Sequence, residues 1–152
     1  MPYFFFDTSG LAKRYQLETG SSRLVDLFAT PSGRFLVSDL GILETRSALA
    51  MKVRTGESDA SGALDANRRF GLDLANGLLH NVAVTRAHFA IANTLVLRHG
   101  LTRRMRTLDA LQLAVAMDLR DRGEMDLFVV SDRILQDLAT LEGLPVLNPE
   151  IE

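Results

Sequence analysis

Short apolar runs alternate with longer amphipathic stretches along the chain, and this alternation constrains the fold more than any other feature of the sequence. Five runs have the length of strands: Tyr3–Phe6, Arg34–Val37, Asn81–Thr85, Leu127–Val130 and Pro145–Leu147. Strands separated by helices pair in parallel, because parallel neighbours need long crossovers and bury both faces of their sheet. We therefore predict a three-layer α/β fold.

The stretches between these runs carry the caps and the apolar spacing of helices. The cluster Asp7-Thr8-Ser9-Gly10 after the first run is typical of a helix start. Further helices are predicted at Leu40–Arg54, Ser58–Leu79 (one long helix or two stacked ones), Arg86–Arg98, from Thr107 to about Arg120, and from Ser131-Asp132 to Glu142-Gly143. Since 152 residues without a repeat or a flexible linker suit one hydrophobic core, we expect a single domain over residues 1–152.

The composition of the chain excludes several classes of chemistry. Cysteine is absent, which excludes disulfide scaffolds, thiol catalysis and Cys-bound metals. A net charge of -2 gives no overall attraction to nucleic acid, so any contact with a polyanion must be local. The run Tyr3–Phe6 is too short for a signal sequence or a membrane span. We therefore expect a cytoplasmic protein without a membrane partner.

Two acids follow strands of the predicted sheet. Asp7 comes directly after the first run and Asp132 follows the fourth. In an open parallel sheet, ligands bind beyond the carboxyl ends of the strands, at the point where strand order reverses. If these two strands are neighbours there, both carboxylates face one cleft. The alternative for each acid is an ordinary helix N-cap.

Two further acids lie near the start of predicted helices. The neighbours of Glu44 one helical turn away include no basic residue, so an ion pair along the helix is excluded. That carboxylate must either reach a solvated edge or coordinate something. Asp109 lies in the first turn of an otherwise apolar helix. There it either interacts with the helix dipole or belongs to a site.

The chemistry of the four acids together points to a metal ion. Carboxylates about 4 Å apart repel by roughly 4 kcal/mol at an effective dielectric constant of 20, so a cluster needs protons or a cation. Oxygen ligands without cysteine favour Mg²⁺ or Mn²⁺. Such ions bridge phosphate oxygens and generate a hydroxide nucleophile, which suits phosphodiester hydrolysis.

The segment 3–15, YFFFDTSGLAKRY, resembles the start of PIN-domain proteins, in particular the VapC-type toxins of type II toxin–antitoxin systems. Three further blocks resemble the same family in the same order: 43–49 around Glu44, 108–114 around Asp109 and 129–133 around Asp132. The resemblance implies a PIN-like fold with a five-stranded parallel sheet of order 3-2-1-4-5. It also implies a metal-dependent endoribonuclease that is neutralised by a VapB-like antitoxin.

The resemblance further implies roles for individual residues. Asp7, Glu44 and Asp109 would hold Mg²⁺ or Mn²⁺, and Asp132 would complete the site directly or through water. A metal-activated water would then attack the phosphorus of the RNA substrate.

Three polar side chains near the predicted ligands also bear on the site: two hydroxyl groups and one amide. Thr8 or Ser131 would orient the attacking water or a ligand carboxylate, unless the hydroxyl merely caps a helix. Gln112 departs from the family, because many relatives carry His at this position. The departure bears on local substrate contacts rather than on metal binding.

Arginines precede Asp109 in the sequence, at Arg103, Arg104 and Arg106. They would contact RNA phosphates, which supply affinity that does not depend on sequence. A solvated loop and a docking site for an acidic antitoxin segment are the alternatives. By resemblance we also expect a homodimer. The apolar stretches Ala48–Val53 and Phe89–Leu97 would contribute to its interface, and packing in the core explains them equally well.

Two other functions remain open. A Mg²⁺-dependent small-molecule phosphotransferase also places an Asp after its first strand, but it usually needs a second acid two residues later, where this chain has Ser9. A non-catalytic PIN-like interaction module would need none of the four acids. Failure to bind Mn²⁺ would support that module.

Overall fold

The computed structural model describes residues 1–151, and in that range the chain forms one five-stranded sheet. The strands are β1 (Tyr3–Phe6), β2 (Arg34–Ser38), β3 (Leu79–Val82), β4 (Leu127–Val129) and β5 (Val146–Leu147). All neighbours pair in parallel, in the order β3-β2-β1-β4-β5. The strand order reverses at β1, because its chain neighbour β2 lies on one side and β4 on the other. The predicted α/β fold and its PIN-like strand order are confirmed.

Seven helices within residues 1–151 connect and cover the strands. They are α1 (Thr8–Tyr15), α2 (Ser21–Phe28), α3 (Asp39–Arg54), α4 (Ala60–Ala75), α5 (Arg86–His99), α6 (Thr107–Asp121) and α7 (Arg133–Leu141). No helix in this range is both long enough and apolar enough to cross a membrane.

The central strand β1 separates two hydrophobic cores. Phe5 faces the core formed with α5, α6 and α7, where its ring stacks on Phe128 at 5.5 Å between centroids. Phe4 and Phe6 face the opposite core, formed with α1, α2, α3 and α4. All three rings are at most 5% exposed, as expected for a strand covered on both faces. Burial on both sides fixes the end of β1, where the first acid follows.

The helix and strand between residues 58 and 82 differ from the sequence prediction. The predicted helix ran to Leu79, whereas α4 ends at Ala75 because Gly77 adopts a φ of +75° and Leu78 N–H bonds back to the Asp73 carbonyl at 2.9 Å. The strand then begins at Leu79, two residues before the predicted start at Asn81. Polar residues occur in β3 because it is an edge strand, half exposed to solvent.

Two other local predictions fail for lack of a side-chain signal. Helix α2 was not predicted; it begins after Gly20, which offers no side chain for capping and adopts a φ of 92°. Helix α6 was predicted to be capped by Thr107, but its N-cap is Arg106, without a side-chain capping bond. In both cases the N-cap residue makes no side-chain capping bond, so the usual sequence signal for a helix start is missing.

Candidate active site

The four acids singled out in the sequence line one cavity of about 390 Å³ at the carboxyl edge of the sheet. Asp7 follows β1, Asp132 follows the adjacent β4, Glu44 lies on α3 and Asp109 lies in the first turn of α6. The position is the one expected for a ligand site in an open parallel sheet, beside the reversal of strand order. The structure therefore brings together all four side chains, while their roles as ligands stay a prediction.

The hydroxyl of Ser9 joins the ends of β1 and β4. It donates to Asp7 Oδ2 at 2.7 Å and accepts the backbone N–H groups of Ser131 (2.9 Å) and Asp132 (3.1 Å). Asp7 is also the N-cap of α1, since its Oδ2 accepts the Ser9 N–H at 3.1 Å. The capping role and the site role thus coexist in one carboxylate. Ser9 was not predicted as a site residue, and it supplies no second acid for phosphotransfer.

A buried amide holds the other oxygen of Asp7. Gln112 donates to Asp7 Oδ1 at 3.2 Å and accepts the Ser38 hydroxyl at 2.6 Å. Ser38 Oγ in turn accepts the Gly41 N–H at 2.9 Å at the start of α3. Gln112 is 1% exposed and Ser38 is fully buried, so the hydrogen bonds that link α3 to Asp7 are shielded from water. Gln112, which departs from the family pattern that the sequence resembles, therefore orients a predicted metal ligand.

We expect Gln112→Leu to lower the free energy of unfolding by about 1–3 kcal/mol, because Asp7 Oδ1 and Ser38 Oγ lose a buried partner. Urea denaturation measures the change. Gln16→Leu is the matched control, since the Gln16 side chain makes no hydrogen bond within residues 1–151 and should change stability by less than about 0.5 kcal/mol. Equal stability of Gln112→Leu and the wild type would show that this network does not hold Asp7.

The carboxylates of the cavity repel one another. Burial raises the pKa of Asp7, against hydrogen bonds from Ser9 and Gln112 that lower it. Burial likewise raises the pKa of Glu44, and the charge of Asp7 adds to the rise. The Asp109 carboxylate acts in the same direction on both. Asp7, Glu44 and Asp109 therefore share one recess, and their mutual repulsion favours binding of a cation or a proton there.

One arginine already supplies positive charge among these acids. Arg106 Nε donates to Asp109 Oδ2 at 3.3 Å, and its Nη2 lies 3.8 Å from Asp132 Oδ2. The charge of Asp109 raises the pKa of the guanidinium further. The side chain of Arg106 is 65% exposed, so it can leave without disturbing the core. In this conformation Arg106 is engaged with the site acids, whereas the sequence suggested an RNA phosphate as its partner.

The donor chemistry of the cavity fits a hard divalent cation. Its acids are all oxygen donors, they are recessed, and they repel one another in the absence of positive charge. Among the described residues, however, no three Asp, Glu or His side chains converge closely enough to form a ready-made metal site. Metal binding therefore requires side-chain rotation, for which the exposed Arg106 and the partly exposed Asp132 leave room.

The remaining predicted site residues fall into two groups. Thr8 Oγ1 donates to Glu44 Oε2 at 3.1 Å, so it holds a candidate ligand carboxylate rather than a helix end. Ser131 Oγ is buried and makes no hydrogen bond within residues 1–151. Arg103 and Arg104 are exposed; Arg104 lines a smaller cavity together with Asp109 and Asp132, whereas Arg103 lines a further cavity that contains none of the four acids.

No protein-family model matches the sequence, and neither does any curated protein. Solved structures do match. VapC20 from Mycobacterium tuberculosis, described as a toxin that cleaves the sarcin–ricin loop, superposes with a TM-score of 0.67 at 19% identity, covering 98% of each chain. VapBC2 from Rickettsia felis, bound to a DNA fragment from its promoter, gives 0.65 at 11% identity, covering 96% of this chain and 98% of that one.

FitAcB from Neisseria gonorrhoeae gives a TM-score of 0.63 at 14% identity and covers 96% of this chain and 97% of its own. These identities are low, and the likeness extends over nearly the whole length of each chain. The strand order and the parallel pairing agree with the expectation from the sequence motifs. The chain has the PIN-like fold of these toxin structures.

Proposed function

We propose that the chain is a Mg²⁺- or Mn²⁺-dependent endoribonuclease of the VapC toxin type, which hydrolyses RNA phosphodiester bonds. The observation that carries the proposal is the meeting of Asp7, Glu44, Asp109 and Asp132 in one recess at the strand reversal. The fold shared with VapC20, a toxin that cleaves the sarcin–ricin loop, supports the same proposal.

In this proposal Asp7, Glu44 and Asp109 hold the metal, and Asp132 completes its surroundings. The bound ion would supply a nucleophilic hydroxide and would neutralise charge on the phosphate. The chain itself orients the ligands: Ser9 and Gln112 fix both oxygens of Asp7. Thr8 orients a second ligand by donating a hydrogen bond to the Glu44 carboxylate. This assigns Thr8 to the ligand carboxylate and not to the water.

Arg106 competes with the metal for the acids in this account. We expect Arg106→Ala to tighten Mn²⁺ binding by roughly threefold to tenfold, because one partly solvated positive charge leaves the site. Isothermal titration calorimetry with Mn²⁺ measures the change. Arg133→Ala removes an equal charge next to Asp132 in sequence but makes no ion pair within residues 1–151, so it should have a smaller effect. Weaker Mn²⁺ binding by Arg106→Ala would contradict competition.

We also propose a VapB-like antitoxin and a second copy of the chain as partners, in the cytoplasm. Phe89, Val96 and Leu97 on α5 are 56%, 41% and 73% exposed, which suits a homodimer surface. Within the stretch Phe89–Leu97, the exposed residues would form the interface. Ala92 and Leu95 belong to the core. Light scattering of the purified chain measures its oligomeric state.

Cleavage of total cellular RNA tests the proposed activity. The purified chain is incubated with Mg²⁺ or Mn²⁺, and an identical reaction contains EDTA. We expect discrete fragments with metal and intact RNA with EDTA. If a folded sample free of antitoxin cleaves no RNA and binds no Mn²⁺, the chain is a non-catalytic interaction module. The observation that favours this non-catalytic module is that no ready-made metal site is formed within residues 1–151.

A further inference from the structure

Three cavities adjoin one another along the carboxyl edge of the sheet. The cavity of about 390 Å³ that holds the four acids shares Arg106, Asp109 and Asp132 with a second one of about 180 Å³. The second shares Arg104 and Ile134 with a third of about 240 Å³. Together they form a continuous depression, here termed the site groove, that runs from the end of α3 across the acids to α7.

Unpaired arginines lie at both ends of the site groove. Arg54, the last residue of α3, lines the first cavity, and Arg104 lines the second and third. Neither guanidinium has a hydrogen bond or an ion pair within residues 1–151. Arg98 and Arg14, by contrast, are paired with Glu142 and Asp73. Other unpaired arginines, such as Arg23, Arg86 and Arg133, line none of the three cavities of the groove. Positive charge is thus left available on two opposite sides of the acidic recess.

Apolar side chains lie between these charges. Met51, Leu108 and Ile134 line the site groove and are 48%, 44% and 39% exposed. Such aliphatic surfaces pack against sugars and base faces but offer no hydrogen bonds that read base edges. The groove therefore combines phosphate-binding groups with contact surfaces that do not discriminate sequence.

We infer that Arg54 and Arg104 bind backbone phosphates on opposite sides of the scissile position, so that an unpaired RNA strand lies along the site groove from α3 to α7. The inference rests on the proposed function, because it takes the acids as the point of cleavage. It adds Arg54, which lies 49 positions before Arg103 in the sequence and belongs to a different wall of the site.

The recess of the acids argues for an unpaired strand. Asp7 is 6% exposed and the side chain of Asp109 is 13% exposed, so a phosphodiester must enter the cavity to reach them. A paired A-form backbone is held rigid by its helix. An unpaired strand can splay its bases and bend into a depression of this size.

Binding of a fluorescein-labelled 12-nucleotide single-stranded RNA tests the inference. Fluorescence anisotropy is measured with Asp7→Asn protein in Mg²⁺, so that cleavage does not interfere. We expect Arg54→Gln and Arg104→Gln, each added to that protein, to raise Kd about threefold to tenfold and to reduce the slope of log K against log salt by about 0.7 each. Arg23→Gln, an exposed arginine on α2 outside the groove, should change neither quantity.

Three results would overturn the inference. Arg23→Gln weakening binding as much as the groove variants would mean general charge attraction. Equal affinity for a duplex of the same sequence would exclude an unpaired strand. Oligoglutamate of equal charge binding equally well, with the same dependence on Arg54 and Arg104, would make the groove an acidic-peptide site.

The failure of this inference differs from the failure of the proposed function. Wild-type protein that binds RNA through Arg54 and Arg104 but cuts none would overturn the proposed hydrolysis and leave the binding path. RNA cleavage at subsaturating substrate that is unchanged by both substitutions would overturn the path and leave the hydrolysis. The two measurements are made on the same folded preparations.

Discussion

Asp7→Asn is expected to lower RNA cleavage by at least about 10³-fold while the protein stays folded, because the change removes the charge of a proposed metal ligand from the centre of the site. Asparagine keeps an oxygen that can cap α1, and the loss of a buried charge relieves repulsion by Asp109, but the new amide nitrogen would face the Gln112 amide that donates to Asp7 Oδ1. Because these effects partly cancel, we expect the free energy of unfolding to fall by no more than about 2 kcal/mol. Fragment yield over time and urea denaturation measure the two effects.

The control for this experiment is Asp26→Asn, which removes an exposed acid from α2 that lines none of the cavities at the site. It should cleave RNA at the wild-type rate. If Asp7→Asn, prepared in the same way, still produces the same fragments, the cleavage comes from a contaminating nuclease or from a site that does not include Asp7.

Gly10→Ala is expected to destabilise the protein by about 1–3 kcal/mol, because an added Cβ would lie 2.7 Å from the Val129 carbonyl oxygen. The close approach of α1 to β4 is what lets Ser9 bond to Ser131 and Asp132. We therefore also expect weaker Mn²⁺ binding by this variant. Urea denaturation and calorimetric titration measure the two changes.

Gly71→Ala provides the matched comparison within another helix. Its added Cβ would meet only the end of Arg46, at 3.9 Å, so the usual helix preference for alanine should stabilise the protein by about 0.5–1 kcal/mol. Opposite signs for the two substitutions would show that contact with β4, and not helix propensity, makes Gly10 necessary. Equal effects would contradict the close packing of α1 on β4.

The sequence predicts the sheet well where burial is complete and poorly where it is partial. Strand β1 occupies Tyr3–Phe6 as predicted, since three consecutive phenylalanines fit only a strand covered on both faces. Edge strand β3 was placed two residues late, because its polar residues resemble a loop. Helix α2 was missed, since Gly20 gives no capping signal and the local bonds at its start use Ser21, whose hydroxyl accepts the Glu18 N–H at 2.9 Å.

The site was predictable in its acids but not in the groups that orient them. Asp7 and Asp132 follow adjacent strands, so topology brings them together once the strand order is known. Gln112 lies 105 positions from its partner Asp7, and nothing local in the sequence indicates that contact. The pairing of Arg106 with Asp109 could have been found from their i,i+3 spacing. Side-chain networks across elements depend on packing that a linear pattern does not encode.

The most direct test of the account is a Mn²⁺ titration of the wild type beside Asp7→Asn, Glu44→Gln and Asp109→Asn, with Asp26→Asn as control. Calorimetry gives affinity and stoichiometry without any RNA. If these acids hold the metal together, each of the three substitutions should weaken binding at least about tenfold, which corresponds to about 1.4 kcal/mol, and the control should leave it unchanged. Wild-type protein that binds no Mn²⁺, or that binds it no more tightly than the three variants, would contradict the central claim.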